Sequence, residues 1–133
     1  MNPRWVSRDI AAPADVMWEL LVDVRRWPEW GPSVRHATLA TSRLELGSRG
    51  TVRTVIGLEL PFEVTRFEEG CSWSWSVAGC PATDHVVEAS GPAASRVAFG
   101  VPWIARPYLV VCRVALRRLD KLGEREVTSR RLP

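Results

Sequence analysis

Of the two histidines in this 133-residue chain, His85 is the one whose setting suggests chemistry. Imidazole exchanges protons near neutral pH and can also orient a carbonyl or hydroxyl group of a ligand. His85 alternates with Val87 and Ala89, so on a strand it shares a face with apolar neighbours. A nearby run, Cys71-Ser72-Trp73-Ser74-Trp75-Ser76-Val77, alternates as well. It sets Trp73, Trp75 and Val77 on one face and three serines on the other. The apolar face turns inward, where two indoles either pack as core or wall a cavity. Tyr108 and Cys112 recur at helical spacing near the end of the chain, on one apolar stripe, and Phe99 lies with Val97 and Val101 in a short strand-like segment. Trp73, Trp75, His85, Val87, Phe99, Tyr108 and Cys112 are therefore the candidate ligand contacts.

Other polar residues carry weaker signals. Glu63, Asp84 and Glu88 act as general acids or bases only if buried, and their ordinary reading is surface strand charge. Arg53 alternates with Thr51, Val55 and Gly57, opposite the more apolar set Val52, Thr54, Ile56 and Leu58; that set reads as inward and Arg53 as solvated. His36 has no second ligand at metal-binding spacing. Three cysteines, Cys71, Cys80 and Cys112, lack CxxC spacing and read as free thiols, two as small apolar fillers and one in a loop. GxSxG, GxxxxGK[ST], HExxH and GxGxxG are all missing, so nothing supports hydrolytic, nucleotide or zinc chemistry. No catalytic residue is assigned, and neither a metal nor a cofactor is expected.

Composition narrows the class further. An apolar fraction of 46% and a charged fraction of 25% fit one ordinary globular domain. Seven Trp against one Tyr and three Phe is an unusual aromatic balance. The net charge of +3 comes from scattered arginines with no basic stripe, so nucleic acid is not an expected partner. No apolar run reaches the ~18 residues of a membrane span, and Arg4, Arg8 and Asp9 interrupt the first segment where a signal peptide would be apolar, so a cytoplasmic location is expected.

The elements that position these residues can be read from periodicity. Arg4–Ile10 alternates as a strand. Pro13 opens a helix to about Leu21, with Val16, Met17, Leu20, Leu21 and Val24 at helical spacing. The stretch from Val24 to Val34 carries two prolines and a glycine, which leaves a helical turn and a loop. Six strand-like segments follow: His36–Thr41, Thr51–Leu58, Phe62–Glu68, Ser72–Val77, Asp84–Ala89 and Ser95–Val101. They are divided by Gly, Pro and Ser clusters, the pattern of an antiparallel meander. Pro107 then begins a helix of about 16 residues expected to stop near Gly123. Glu124 to Pro133 is charged, lacks apolar periodicity and reads as a frayed tail. The predicted fold is α+β: a curved seven-stranded antiparallel sheet wrapped around a long C-terminal helix, with a pocket in the wedge between them.

Ala12-Pro13-Ala14-Asp15-Val16-Met17-Trp18 and Asp23-Val24-Arg25-Arg26-Trp27-Pro28-Glu29-Trp30 resemble the opening of START-like (SRPBCC) helix-grip proteins of the polyketide cyclase/dehydrase type. Gly47–Thr51, Ser72-Trp73-Ser74-Trp75, His85-Val86-Val87-Glu88 with Arg96-Val97, and Arg106-Pro107 through Leu122 extend the resemblance over nearly the whole chain. It implies one helix-grip domain over 1–123 with a charged tail over 124–133, and paired tryptophans that clamp the helical turn against the sheet. Proteins of this kind include lipid and hormone binders, aromatase/cyclases and activators of chaperones, so a shared fold does not select a reaction. Binding of a small hydrophobic ligand (lipid, isoprenoid or polyketide-like) in the internal cavity is the first expectation. A cyclase or dehydratase using the same cavity, with His85 or Glu63 moving protons, is the second, and a protein-interaction module is the third. The partner expected is a small hydrophobic molecule, with a homodimer as a further arrangement.

Overall fold

A computed structural model describes residues 4–131. Seven strands form one antiparallel sheet in the order β1-β7-β6-β5-β4-β3-β2. They are β1 (Trp5–Ile10), β2 (Val34–Leu39), β3 (Arg49–Thr54), β4 (Glu59–Glu68), β5 (Ser72–Val77), β6 (Cys80–Gly91) and β7 (Ala94–Gly100). The first and last strands pair, Trp5 opposite Gly100 and Ile10 opposite Ser95. Between β1 and β2 the chain crosses to the far edge through α1 (Ala14–Val22), a 3₁₀ turn at Val24–Arg26 and a short helix α2 (Trp27–Trp30). It then returns strand by strand. After a 3₁₀ segment at Trp103–Tyr108, α3 (Leu109–Arg131) lies against β1, β7, α1 and α2. This is the helix-grip architecture that the sequence predicts.

Local chemistry explains these elements. Pro13 needs no amide donor and its carbonyl accepts from the amides of Val16 and Met17, which starts α1. Val16, Met17, Trp18, Leu20 and Leu21 are all buried beneath it. The two α2 indoles close the other end of α1: Trp27 Nε1 donates to the Leu21 carbonyl and Trp30 Nε1 to the Leu20 carbonyl, each at 2.9 Å. Orphan carbonyls of the last helical turn thus gain partners, and both rings are fixed against the sheet. Between β5 and β6, Ala78 and Gly79 both adopt positive φ, 52° and 80°, which is the geometry of a two-residue hairpin turn.

Several boundaries and burials differ from expectation. The hairpin turn is so tight that Cys80 pairs with Val77 and Pro81 with Ser76, so β6 begins four residues before the predicted Asp84. β3 ends at Thr54; Val55 to Leu58 form a turn, and Ile56 and Leu58 are exposed, not inward. Only Cys112 is a buried filler, for Cys71 and Cys80 are both exposed, and all three thiols are free. Finally, α3 does not stop near Gly123 but continues to Arg131. Gly123 is there for close approach: a Cβ at this position would lie 2.7 Å from Met17 Sδ and 3.3 Å from Ala12 Cβ. The helix beyond it stays anchored by Leu122 in the core and by Arg26 Nη1, which donates to Glu126 Oε1 at 3.1 Å.

Candidate functional site

The wedge between sheet and α3 is not filled along its whole length. A cavity of about 400 Å³ opens between α2, the concave face of β3 to β7, and the start of α3. Its aromatic wall is built by Trp73 and Trp75 from β5, His85 from β6, Phe99 from β7, and Trp27 and Trp30 from α2. Trp27 stacks on Trp73 with centroids 5.3 Å apart and planes 10° from parallel, while Trp75 meets both rings edge to face. Such pairs contribute roughly 0.5–1.5 kcal/mol each beyond area burial, so the wall is a rigid surface. Val111, Cys112 and Ala115 line the α3 side. Burial pushes the Cys112 thiol up to about 11, so it stays protonated and behaves as a small apolar group.

His85 sits in the middle of this wall, 3% exposed. Its ring stacks on Trp73 at 3.8 Å and 19°, with Phe99 against it edge-on at 5.0 Å. Nδ1 lies 3.1 Å from the Trp73 carbonyl and Nε2 lies 3.0 Å from Thr83 Oγ1. Trp75 Nε1 donates to the same Thr83 oxygen at 2.9 Å. Burial pulls the His85 pKa down to about 3, against a weak opposing effect of its hydrogen bond to the Trp73 backbone. The ring is therefore neutral throughout the physiological range and is no proton carrier there.

The rim has its own polar pair. Tyr108 and Ser33 share a hydroxyl–hydroxyl hydrogen bond that ties the approach to α3 to the loop after α2. Burial also raises the Tyr108 phenol, so it is neutral. Beyond the rim lie exposed apolar residues: Trp103 and Ile104 follow directly on cavity-lining Pro102, and the Val55 amide donates to the Ser33 carbonyl.

Six of the seven predicted contacts, Trp73, Trp75, His85, Phe99, Tyr108 and Cys112, line the cavity. Val87 does not. It is buried on the same face as His85, but further along the strand, where α1 packs on β6 and closes the wedge. Glu63 is also out of reach: it is a partly exposed partner of Arg49. Arg53 is solvated and paired with Glu59 at 3.3 Å. Sequence reasoning did not place Trp27, Trp30 and Thr83 in the site. The resemblance gives the two tryptophans only as a clamp, and Thr83 falls just outside the strand expected from Asp84, although it precedes His85 by two and so shares its face on an extended strand. Among the described residues no group of three or more His, Cys, Asp or Glu side chains is gathered to hold a metal.

A curved sheet gripping a C-terminal helix around an apolar, aromatic-walled cavity defines the helix-grip class of ligand-cavity folds. Residues 6–115 match the family model described as polyketide cyclase / dehydrase and lipid transport, and the chain belongs to that family. No curated protein matches it significantly. Among solved structures, the protein XoxI from Bacillus cereus is similar with a TM-score of 0.69 at 14% identity, covering 90% of this chain and 93% of its own. The di-domain ARO/CYC BexL from the BE-7585A biosynthetic pathway gives 0.66 at 19% identity, over 94% of this chain and 47% of the other. Norcoclaurine synthase from Thalictrum flavum gives 0.62 at 13%, over 92% and 93%. At these identities the likeness is one of fold.

Proposed function

We propose that this protein binds a small, neutral, largely aromatic molecule in the cavity between its sheet and α3. One observation carries the reading: a cavity of about 400 Å³ is walled by indole, phenyl and imidazole rings and carries no charged side chain among the residues lining it. That volume falls in the range of roughly 300–1,000 Å³ usual for small-molecule sites. A carboxylate or phosphate inside would have no cation to meet it, since His85 is neutral, and would bear the full cost of desolvation. Flat ligands gain most, because the stacked rings offer faces without having to rearrange.

The cyclase reading keeps the shape of the cavity, which can fold a reactive chain, but loses its acid–base candidates. His85 is inward yet neutral and hydrogen-bonded at both nitrogens, and Glu63 is on the surface. The interaction-module reading requires an exposed apolar patch in place of an enclosed pocket. Here the exposed Trp103 and Ile104 border a pocket instead of replacing it. We place the protein in the cytosol, consistent with its free cysteines. Titration with neutral polycyclic aromatics and with their carboxylated counterparts, followed by tryptophan fluorescence, tests the binding reading. Saturable quenching by the neutral set and much weaker quenching by the acids are expected. No response to either set, or preference for the acids, would overturn it.

A further inference from the structure

The hydrogen bonds around His85 have only one consistent direction. The Trp73 carbonyl can only accept, so His85 Nδ1 carries the proton and donates to it. The neutral ring then has a bare lone pair on Nε2, and the hydroxyl of Thr83 must donate there. Trp75 Nε1–H can only donate, and it occupies one of the two lone pairs of Thr83 Oγ1. The chain runs Trp75 to Thr83 to His85 to Trp73, and every proton in it is committed. What is left is a single lone pair on Thr83 Oγ1.

Backbone geometry explains why this oxygen is at the site. The β5–β6 ladder slips by one residue between Ser74↔Asp84 and Ser76↔Pro81, so Trp75 faces two residues, Ala82 and Thr83. A β-bulge of this kind re-aims side chains and is over-represented beside functional sites. Ala82 and Thr83 both line the cavity. Thr83 is only partly buried, unlike His85 next to it on the same face.

We infer that Thr83 is a specificity-determining residue: it presents the cavity with a hydrogen-bond acceptor and no donor, and so selects ligands that carry a hydroxyl over otherwise identical ligands with an ether or no oxygen. The inference rests on the reading of the cavity as a ligand site. It narrows the ligand from an apolar aromatic to one with a neutral hydroxyl, phenol or alcohol. An unionised hydroxyl can donate to Thr83 while its ring lies on the indoles, whereas an ether or ketone would set one acceptor against another.

Isothermal titration with naphthalene, 1- and 2-naphthol and the corresponding methoxynaphthalenes tests this at pH 7, where the naphthols are neutral. One of the two naphthols should bind roughly tenfold more tightly than its methyl ether, the size of one net hydrogen bond. In Thr83→Val the naphthol and ether should bind within about twofold of one another, and Thr83→Ser should restore the preference. Because the comparison within the unaltered protein needs no variant, a misfolded Thr83→Val would leave it decisive. Equal binding of naphthols and ethers, with naphthalene also bound, would overturn the role of Thr83 and leave the cavity reading intact. Failure of every probe, naphthalene included, would overturn both.

Discussion

His85 and Val87 are two residues apart on one face of β6, both 3% exposed, yet they belong to different regions of the molecule. At Val87 the wedge is closed by α1, which packs on β6, and α1 in turn meets α3 at Gly123, where no Cβ fits beside Met17. At His85 the same sheet face meets the start of α3 across a cavity, and the imidazole is tolerated because both of its nitrogens have partners, whereas the buried Trp73 Nε1 has none. The closed end supplies stability through close packing, and the open end keeps a rigid aromatic wall without filling the space before it. The difference arises from what crosses the concave face: a full helix at one end, and at the other a single turn whose indoles are held by α1 carbonyls.

Mutations should separate the two ends. Leu119, fully buried on α3 and outside the cavity, belongs to the closed end. Leu119→Ala should lower unfolding stability by about 2–5 kcal/mol in denaturant titration. Affinity for a neutral aromatic should change little, and a large loss of affinity in the folded variant would mean that the two ends are not independent.

The second separation uses pH. Burial holds the His85 pKa at about 3 in the folded state against about 6.5 when unfolded, so unfolding takes up a proton below pH 6.5. Its contribution to stability is complete above pH 6.5 and is lost as pH falls toward 3. Between pH 6.5 and 4 the wild type should lose about 3 kcal/mol more than His85→Phe, while Val87→Ala should keep the wild-type slope. Parallel curves for wild type and His85→Phe would show that the imidazole is not buried in its neutral form.

At the open end, Cys112→Leu extends a larger side chain into the cavity from α3. Ligand affinity should fall about tenfold while the thermal midpoint stays near that of the wild type. A drop in midpoint without loss of affinity would place Cys112 in packed core instead. The smallest effect should come from Glu126→Gln, which removes the ion pair holding the last turns of α3 to Arg26. A loss of about 0.2–1 kcal/mol, reduced by added salt, is expected from thermal melts, and none at all would mean that the helix beyond Gly123 is held by Leu122 and Val127 alone.

Much of the fold was legible in the sequence because its signals are local. Alternation places every strand within a few residues, the helical stripe gives α1 and α3, and the inward face read for Trp73 and Trp75 is the one that lines the cavity. Readings failed where a local signal has two tertiary meanings. Gly123 reads as a helix stop, but it is the point where α3 touches α1. Ile56 and Leu58 continue an inward alternation that the chain abandons at Thr54, and Cys80-Pro81 reads as a turn where a tighter turn has already begun the strand.

The sequence by itself thus determined the order of elements, the curved sheet around a terminal helix and the aromatic character of its inner face, since period and residue type act over a few neighbouring residues. Only the tertiary structure decided where the wedge is open and which polar atoms meet there. His85, Thr83 and Trp75 become one hydrogen-bonded chain through strand register and a single bulge, and Val87 is excluded by a helix crossing from the other side of the chain. The first depends on the register and bulge of one hairpin and the second on a contact between segments far apart in sequence, and neither follows from period and residue type alone.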